Sequence, residues 1–126
     1  MGLNIICVGI GGCIGAILRY LISLNSAKLF GASFPFGTLI VNVLGGFLIG
    51  AIMEFSDARD MSPLLRTFLT TGIMGGLTTF STFSLETINL FSSSNYMLGG
   101  LNIILNVSLS LIGVFLGRVL IRTIFI

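Results

Sequence analysis

The sequence predicts an all-α integral membrane protein with four transmembrane helices, the third of them broken mid-membrane. Three observations carry that expectation. Of 126 residues, 55% are hydrophobic and only 8% charged, with a mean hydropathy of +1.13, whereas about a quarter of a soluble domain is charged. Four segments, 3–24, 36–55, 64–91 and 97–121, each hold the roughly 20 apolar residues needed to span a bilayer. The third of these carries a Gly-Gly pair followed by a run of hydroxyl residues, poor material for a continuous lipid-facing helix. Residues 1–126 therefore read as a single four-helix transmembrane domain. Asn25–Pro35, Ser56–Pro63 and Ser92–Tyr96 serve as connections.

Helix 1 places Gly12, Ala16, Arg19 and Ser23 in one narrow sector at about 100° per residue. Its thiols, Cys7 and Cys13, lie roughly 9 Å apart along the axis and cannot bridge each other, so both are expected to be buried structural thiols. The start of the chain lacks a basic region and a cleavage motif, so no cleavable signal peptide is expected. Helix 2 groups Thr38, Asn42, Gly45 and Gly46, and Gly46–Gly50 has the small-xxx-small spacing of close helix pairs.

Helix 3 would reach roughly 42 Å if continuous, too long for a hydrocarbon core of about 30 Å unless tilted or broken. At its centre stand Gly72, Gly75, Gly76, Thr78, Thr79, Phe80, Ser81, Thr82, Phe83 and Ser84. Irregular backbone at membrane depth is tolerated where it lines a cavity or binds an ion. Past the break, Thr79, Thr82 and Glu86 share one face, while Phe80, Phe83, Ser84 and Thr87 share another. Helix 4 carries Gly99, Asn102, Asn106, Ser110, Gly113 and Gly117 on one stripe roughly 80° wide.

Four spans put both termini on one side, here side A, with side B opposite. Arg59, Arg66, Arg118 and Arg122 lie toward side A, against Lys28 and the deeper Arg19 toward side B. The excess favours a cytoplasmic side A, but it is small enough to leave insertion in both orientations open. Arg19 and Glu86 lie at similar depth, close enough to meet as an ion pair, and intramembrane charges are functional candidates.

His and Trp are absent, and the basic residues form no run. Imidazole catalysis, His-ligated metals and nucleic-acid binding are thereby excluded, and no nucleophile–base pair or metal cluster points to an enzyme. The interior instead offers amides, hydroxyls and aromatic rings. An unpaired amide at membrane depth costs several kcal/mol, so Asn42, Asn102 and Asn106 act either as interhelical glue or as part of a track. Hydroxyl and amide protons can be donated to an anion, and ring edges carry the positive part of the aromatic quadrupole. Phe80 and Phe83, one turn apart, fit a small, strongly hydrogen-bonding anion; backbone carbonyls at the break could equally bind a cation.

The stretches Gly11–Tyr20, Gly37–Gly45 and Gly75–Phe83 resemble the CrcB/Fluc family of fluoride-selective ion channels, the third motif most specifically. The resemblance extends over all four helices, though in helix 4 it rests on pattern. It implies a bacterial inner (plasma) membrane channel that exports toxic F⁻ from the cytoplasm, built as an antiparallel dual-topology homodimer with two pores. It also implies a structural Na⁺ at the dimer centre on main-chain carbonyls of Gly75 and Thr78. In the fluoride pore it matches Phe80, Phe83 and Asn42, the polar track Asn102, Asn106 and Ser110 with Ser81, Thr82 and Glu86 nearby, and Arg19 at the vestibule. The expected partners are fluoride, membrane lipid and a second copy of the chain.

A small dual-topology multidrug/proton antiporter is the alternative of similar size. Such transporters resemble a design with an acidic residue in helix 1 and Trp, and neither is present here. A non-transporting scaffold would need only the glycine stripes and leaves the amide line and hydroxyl-rich segment unexplained.

Overall fold

The computed structural model describes residues 1–125. Every regular element among them is helical: α1 Gly2–Phe30, α2 Phe36–Ala58, α3 Pro63–Thr67, a π-helical stretch Phe68–Met74, α4 Gly75–Leu77, α5 Phe80–Ser92 and α6 Tyr96–Phe125. Helices α1, α2 and α6 are each long and apolar enough to cross a membrane by themselves. Between α2 and α6 a composite element runs from Pro63 to Ser92, with Thr78 and Thr79 extended in its middle.

The ends of the helices follow local chemistry. α1 continues beyond the expected boundary near residue 24, because nothing in Asn25–Phe30 breaks a helix; it stops where Gly31 takes φ 80° and its N–H caps Ala27 O at 3.0 Å. Phe34 then tucks in beside Phe36, ring centroids 4.9 Å apart, and starts α2. The side-A connection ends at Ser62, whose Oγ accepts from Leu65 N–H, with Pro63 at the first helical position. α6 likewise outruns its expected end and extends to Phe125.

Two parallel helix pairs form the frame, and small residues govern both. α2 and α6 make the most extensive helix contact in the molecule. Asn42 meets Asn106 and Glu54 meets Arg118, each pair 64 residues apart in sequence, and between them Gly46 faces Ser110 O and Gly50 faces Val114 O. One register therefore holds over more than three turns. A Cβ at Gly46 would lie 2.7 Å from Ser110 O, so only glycine permits this approach. The second pair joins α1 to the first half of the composite element. Gly11 and Gly15 press on the backbone of Gly72, Ile73 and Gly76, and a Cβ at Gly11 would fall 2.9 Å from Gly72 Cα.

Between the pairs sits a small apolar core of Val41, Met74 and Leu77. The outward faces of α1 and α6 expose long rows of Ile, Leu and Phe, as expected of surfaces made for lipid or another apolar partner. The expected burial of both thiols does not hold in the single chain: Cys7 is half-buried and Cys13 exposed. Cys13 lies on α1 away from the Gly11 and Gly15 face that packs.

Candidate functional site

The helical ladder of the composite element stops at Thr78, whose N–H still reaches Met74 O at 3.0 Å. The next amide, Thr79 N–H, turns away and donates to Asn42 Oδ1 at 2.8 Å. Thr79 Oγ1 then caps α5 by accepting from Thr82 N–H at 3.1 Å. In a continuous helix these two N–H groups would go to the carbonyls of Gly75 and Thr78. Both carbonyls therefore lose their helical donors to side chains. Gly75 is exposed and Thr78 half-buried.

Asn42 is fixed from both sides. Its Nδ2 donates to Thr79 O at 3.1 Å and to Asn106 Oδ1 at 2.9 Å. From there the hydrogen bonds run head to tail along α6. Asn106 Nδ2 donates to Asn102 Oδ1 at 2.9 Å and to Asn102 O at 3.0 Å; Asn102 Nδ2 donates to Thr87 Oγ1 at 2.9 Å; and the Thr87 hydroxyl donates to Phe83 O at 2.7 Å. Asn102 is 0% exposed. The amides thus pair mainly with protein, tying α2, α5 and α6 together, as buried polar groups must.

Two cavities flank this chain of amides. A groove of about 470 Å³ brings together Asn42, Phe80, Phe83, Asn106, Ser110 and the Gly75–Thr78 turn. Phe80 is 79% exposed beside it, Phe83 is buried, and their ring centroids are 5.5 Å apart. A second cavity, about 460 Å³, opens at side B and is lined by Thr38 and Glu86 together with Ser23, Asn89, Ser93 and Asn95. Thr38 Oγ1 donates to Glu86 Oε1 at 2.8 Å, while Glu86 Oε2 is buried without a partner. Since Thr38 and Asn42 are one turn apart on α2, the two cavities are neighbours along it.

The sequence-predicted residues separate into those at the cavities and those behind them. Asn42, Phe80, Phe83, Asn106, Ser110, Gly75 and Thr78 line the groove, and Glu86 lines the side-B cavity. Asn102 lies behind the groove. Ser81 is exposed, with its Oγ 3.3 Å from Thr79 Oγ1, and Thr82 Oγ1 accepts from Thr79 Oγ1 at 3.1 Å. Arg19 is half-buried and lines neither cavity.

The ion pair between Arg19 and Glu86 does not form among the described residues. α1 packs on α2, α3, the π-helical stretch and α4 but not on α5, because the extended residues Thr78 and Thr79 carry α5 over to α2 and α6. Glu86 accordingly faces Thr38 of α2. A different charge cluster escaped the sequence reading. Glu54, 8% exposed, accepts from Arg118 Nε at 3.1 Å and from Arg122 Nε. Its signal was the 64-residue offset between α2 and α6, which is legible only once Asn42 is matched to Asn106.

Residues 6–118 match the model of the family described as CrcB-like protein, Camphor Resistance (CrcB). The chain is 59% identical over 119 residues to a protein of Clostridium perfringens named Fluoride-specific ion channel FluC, covering 94% of this chain and 93% of that one. A Clostridium novyi protein of the same name is 55% identical over 116 residues, 91% of each chain. One from Shewanella sp. (strain ANA-3), also of that name, is 48% identical over 118 residues, 94% of this chain and 95% of its relative. With the match spanning nearly every helix and the groove between them, this chain belongs to the CrcB family of bacterial multi-pass membrane proteins.

Proposed function

We propose that the chain is a fluoride-specific channel of the bacterial inner membrane, and not an enzyme, and that it lets F⁻ leave the cytoplasm. The observation that carries this reading is the groove, which two neighbouring phenylalanines and Ser110 line together with no charged residue among the lining. Ring edges and hydroxyl protons can replace the water around a small anion without holding it too tightly to leave. The relatives named as fluoride-specific channels support the same assignment.

The working unit is an antiparallel dual-topology homodimer with two pores. The exposed Phe80 and the groove beside it need a cover, and an inverted second copy supplies one while extending a pathway whose polar groups run from the middle of the chain toward side B. In this assembly the turn at Thr78 and Thr79 lies mid-membrane. The fluoride path follows Phe80, Phe83 and Ser110, with Ser81 and Thr82 near it, Asn42, Asn106 and Asn102 forming its wall, and Glu86 and Arg19 toward the vestibule.

The carbonyls of Gly75 and Thr78 fit a sodium site. Each lacks its helical donor, and hard cations take oxygen ligands of this kind. Two such pairs, one from each copy, would hold a structural Na⁺ at the dimer centre, where it neutralises the converging carbonyl dipoles.

Growth in fluoride tests the assignment. A bacterial strain lacking its own fluoride exporter regains tolerance when it carries this chain, whereas unchanged sensitivity despite membrane expression would overturn the reading.

A further inference from the structure

Asn42 has no amide proton to offer a passing anion. Both protons of Nδ2 are used, on Thr79 O and Asn106 Oδ1, and Oδ1 holds Thr79 N–H. What the residue does is remove Thr79 N–H from the carbonyl of Gly75. Thr79 Oγ1 does the same one step later, taking Thr82 N–H from the carbonyl of Thr78. These are the two oxygens assigned above to sodium.

We propose that Asn42 is a positioning residue for the cation site, and that its orientation, chosen at Thr79, is braced from a distance by Thr87 through Asn102 and Asn106. This rests on the sodium reading above. The Asn42 amide, turned over, would place Nδ2 against Thr79 N–H, donor against donor. The orientation that avoids this clash is propagated along the chain of amides. Asn106 Oδ1 must accept, so Asn106 Nδ2 points to Asn102 Oδ1; Asn102 Nδ2 then points to Thr87 Oγ1, which passes its own proton to Phe83 O. Asn102 is wholly buried, so water cannot stand in for a missing partner. Thr87 does not itself line the groove, yet it anchors the far end.

The experiment measures the thermal unfolding midpoint of purified full-length protein against Na⁺ concentration, with choline as the replacing cation and no fluoride present. The readout is the half-saturating Na⁺ concentration, independent of flux and of the midpoint without Na⁺. Loss of a group that orients metal ligands commonly weakens metal binding about 10–100-fold. Asn42→Ala is expected to raise half-saturation at least about tenfold. Thr87→Val, equal in shape but without the hydroxyl, should raise it by about threefold or more, while Thr87→Ser restores the wild-type value. Should Asn42→Ala fail to fold, the Thr87 pair decides. A wild-type protein whose midpoint ignores Na⁺ would sink the sodium reading itself. A wild type that responds, with Asn42→Ala or Thr87→Val responding at the same Na⁺ concentration, would overturn the positioning role and leave the sodium site standing.

Discussion

Asn42 and Thr79 are joined twice, side-chain amide to backbone peptide, with Thr79 N–H to Asn42 Oδ1 at 2.8 Å and Asn42 Nδ2 to Thr79 O at 3.1 Å. This pairing lets Thr78 and Thr79, between α4 and α5, stand extended without leaving the Thr79 peptide unsatisfied. Each buried polar group stripped of its partner costs about 1–3 kcal/mol. Asn42→Leu should therefore lower unfolding stability by about that amount or more, measured by denaturant titration in detergent micelles. Unchanged stability would mean that the extended turn is held by something else.

The glycine register between α2 and α6 makes a sharper steric prediction. Gly50 lies against Val114 O, and there is no room for a side chain. Gly50→Val should force the helices apart at a cost of about 1–3 kcal/mol or more, seen as aggregation in size-exclusion chromatography. Gly100→Ala, where nothing lies within 4 Å, should behave as wild type.

Glu54 tests the electrostatic end of the same helix pair. Its arginine partners are largely exposed, so salt should screen the interaction. Glu54→Gln is expected to lower the thermal midpoint at low ionic strength, with the gap from wild type narrowing as salt is added. A gap that does not respond to salt would assign Glu54 a packing role instead.

At the side-B cavity, Thr38 supplies the one hydrogen bond that the described residues give Glu86. A single hydrogen bond contributes about 1 kcal/mol. Thr38→Val should slow fluoride efflux from liposomes by about fivefold, and Thr38→Ser should restore it. Equal rates for all three proteins would remove this bond from the transport path.

Much of this arrangement follows from periodicity, and the rest depends on how the chain turns in space. Asn102, Asn106 and Ser110 fall at i, i+4 and i+8, so any helix puts them on one line. Gly46, Gly50 and Gly117 mark close contacts because a Cβ there would strike the facing backbone. What those amides bind could not be read so directly. For Asn42 the sequence leaves interhelical glue and a polar track both open, and only the 64-residue register of α2 with α6 pairs it with Asn106. The misplaced Arg19–Glu86 pair has a similar origin. Equal depth brings two charges together only if their helices touch, and the extended Thr78 and Thr79 carry α5 away from α1. α1 runs past the boundary expected near residue 24 because Asn25, Ser26 and Lys28, though common in turns, tolerate a helix, and the first residue that requires a non-helical backbone is Gly31.

If F⁻ passes beside Phe80 and Phe83, its release from vesicles must depend on those rings. Protein reconstituted into liposomes loaded with potassium fluoride is opened to a K⁺ ionophore, and external F⁻ is followed with an ion-selective electrode. Wild-type vesicles should release F⁻ rapidly, Phe80→Ile should lose most of that release, and vesicles loaded with potassium chloride should release no chloride. Wild-type protein that releases no fluoride, or releases chloride as readily, would contradict a fluoride path beside these rings.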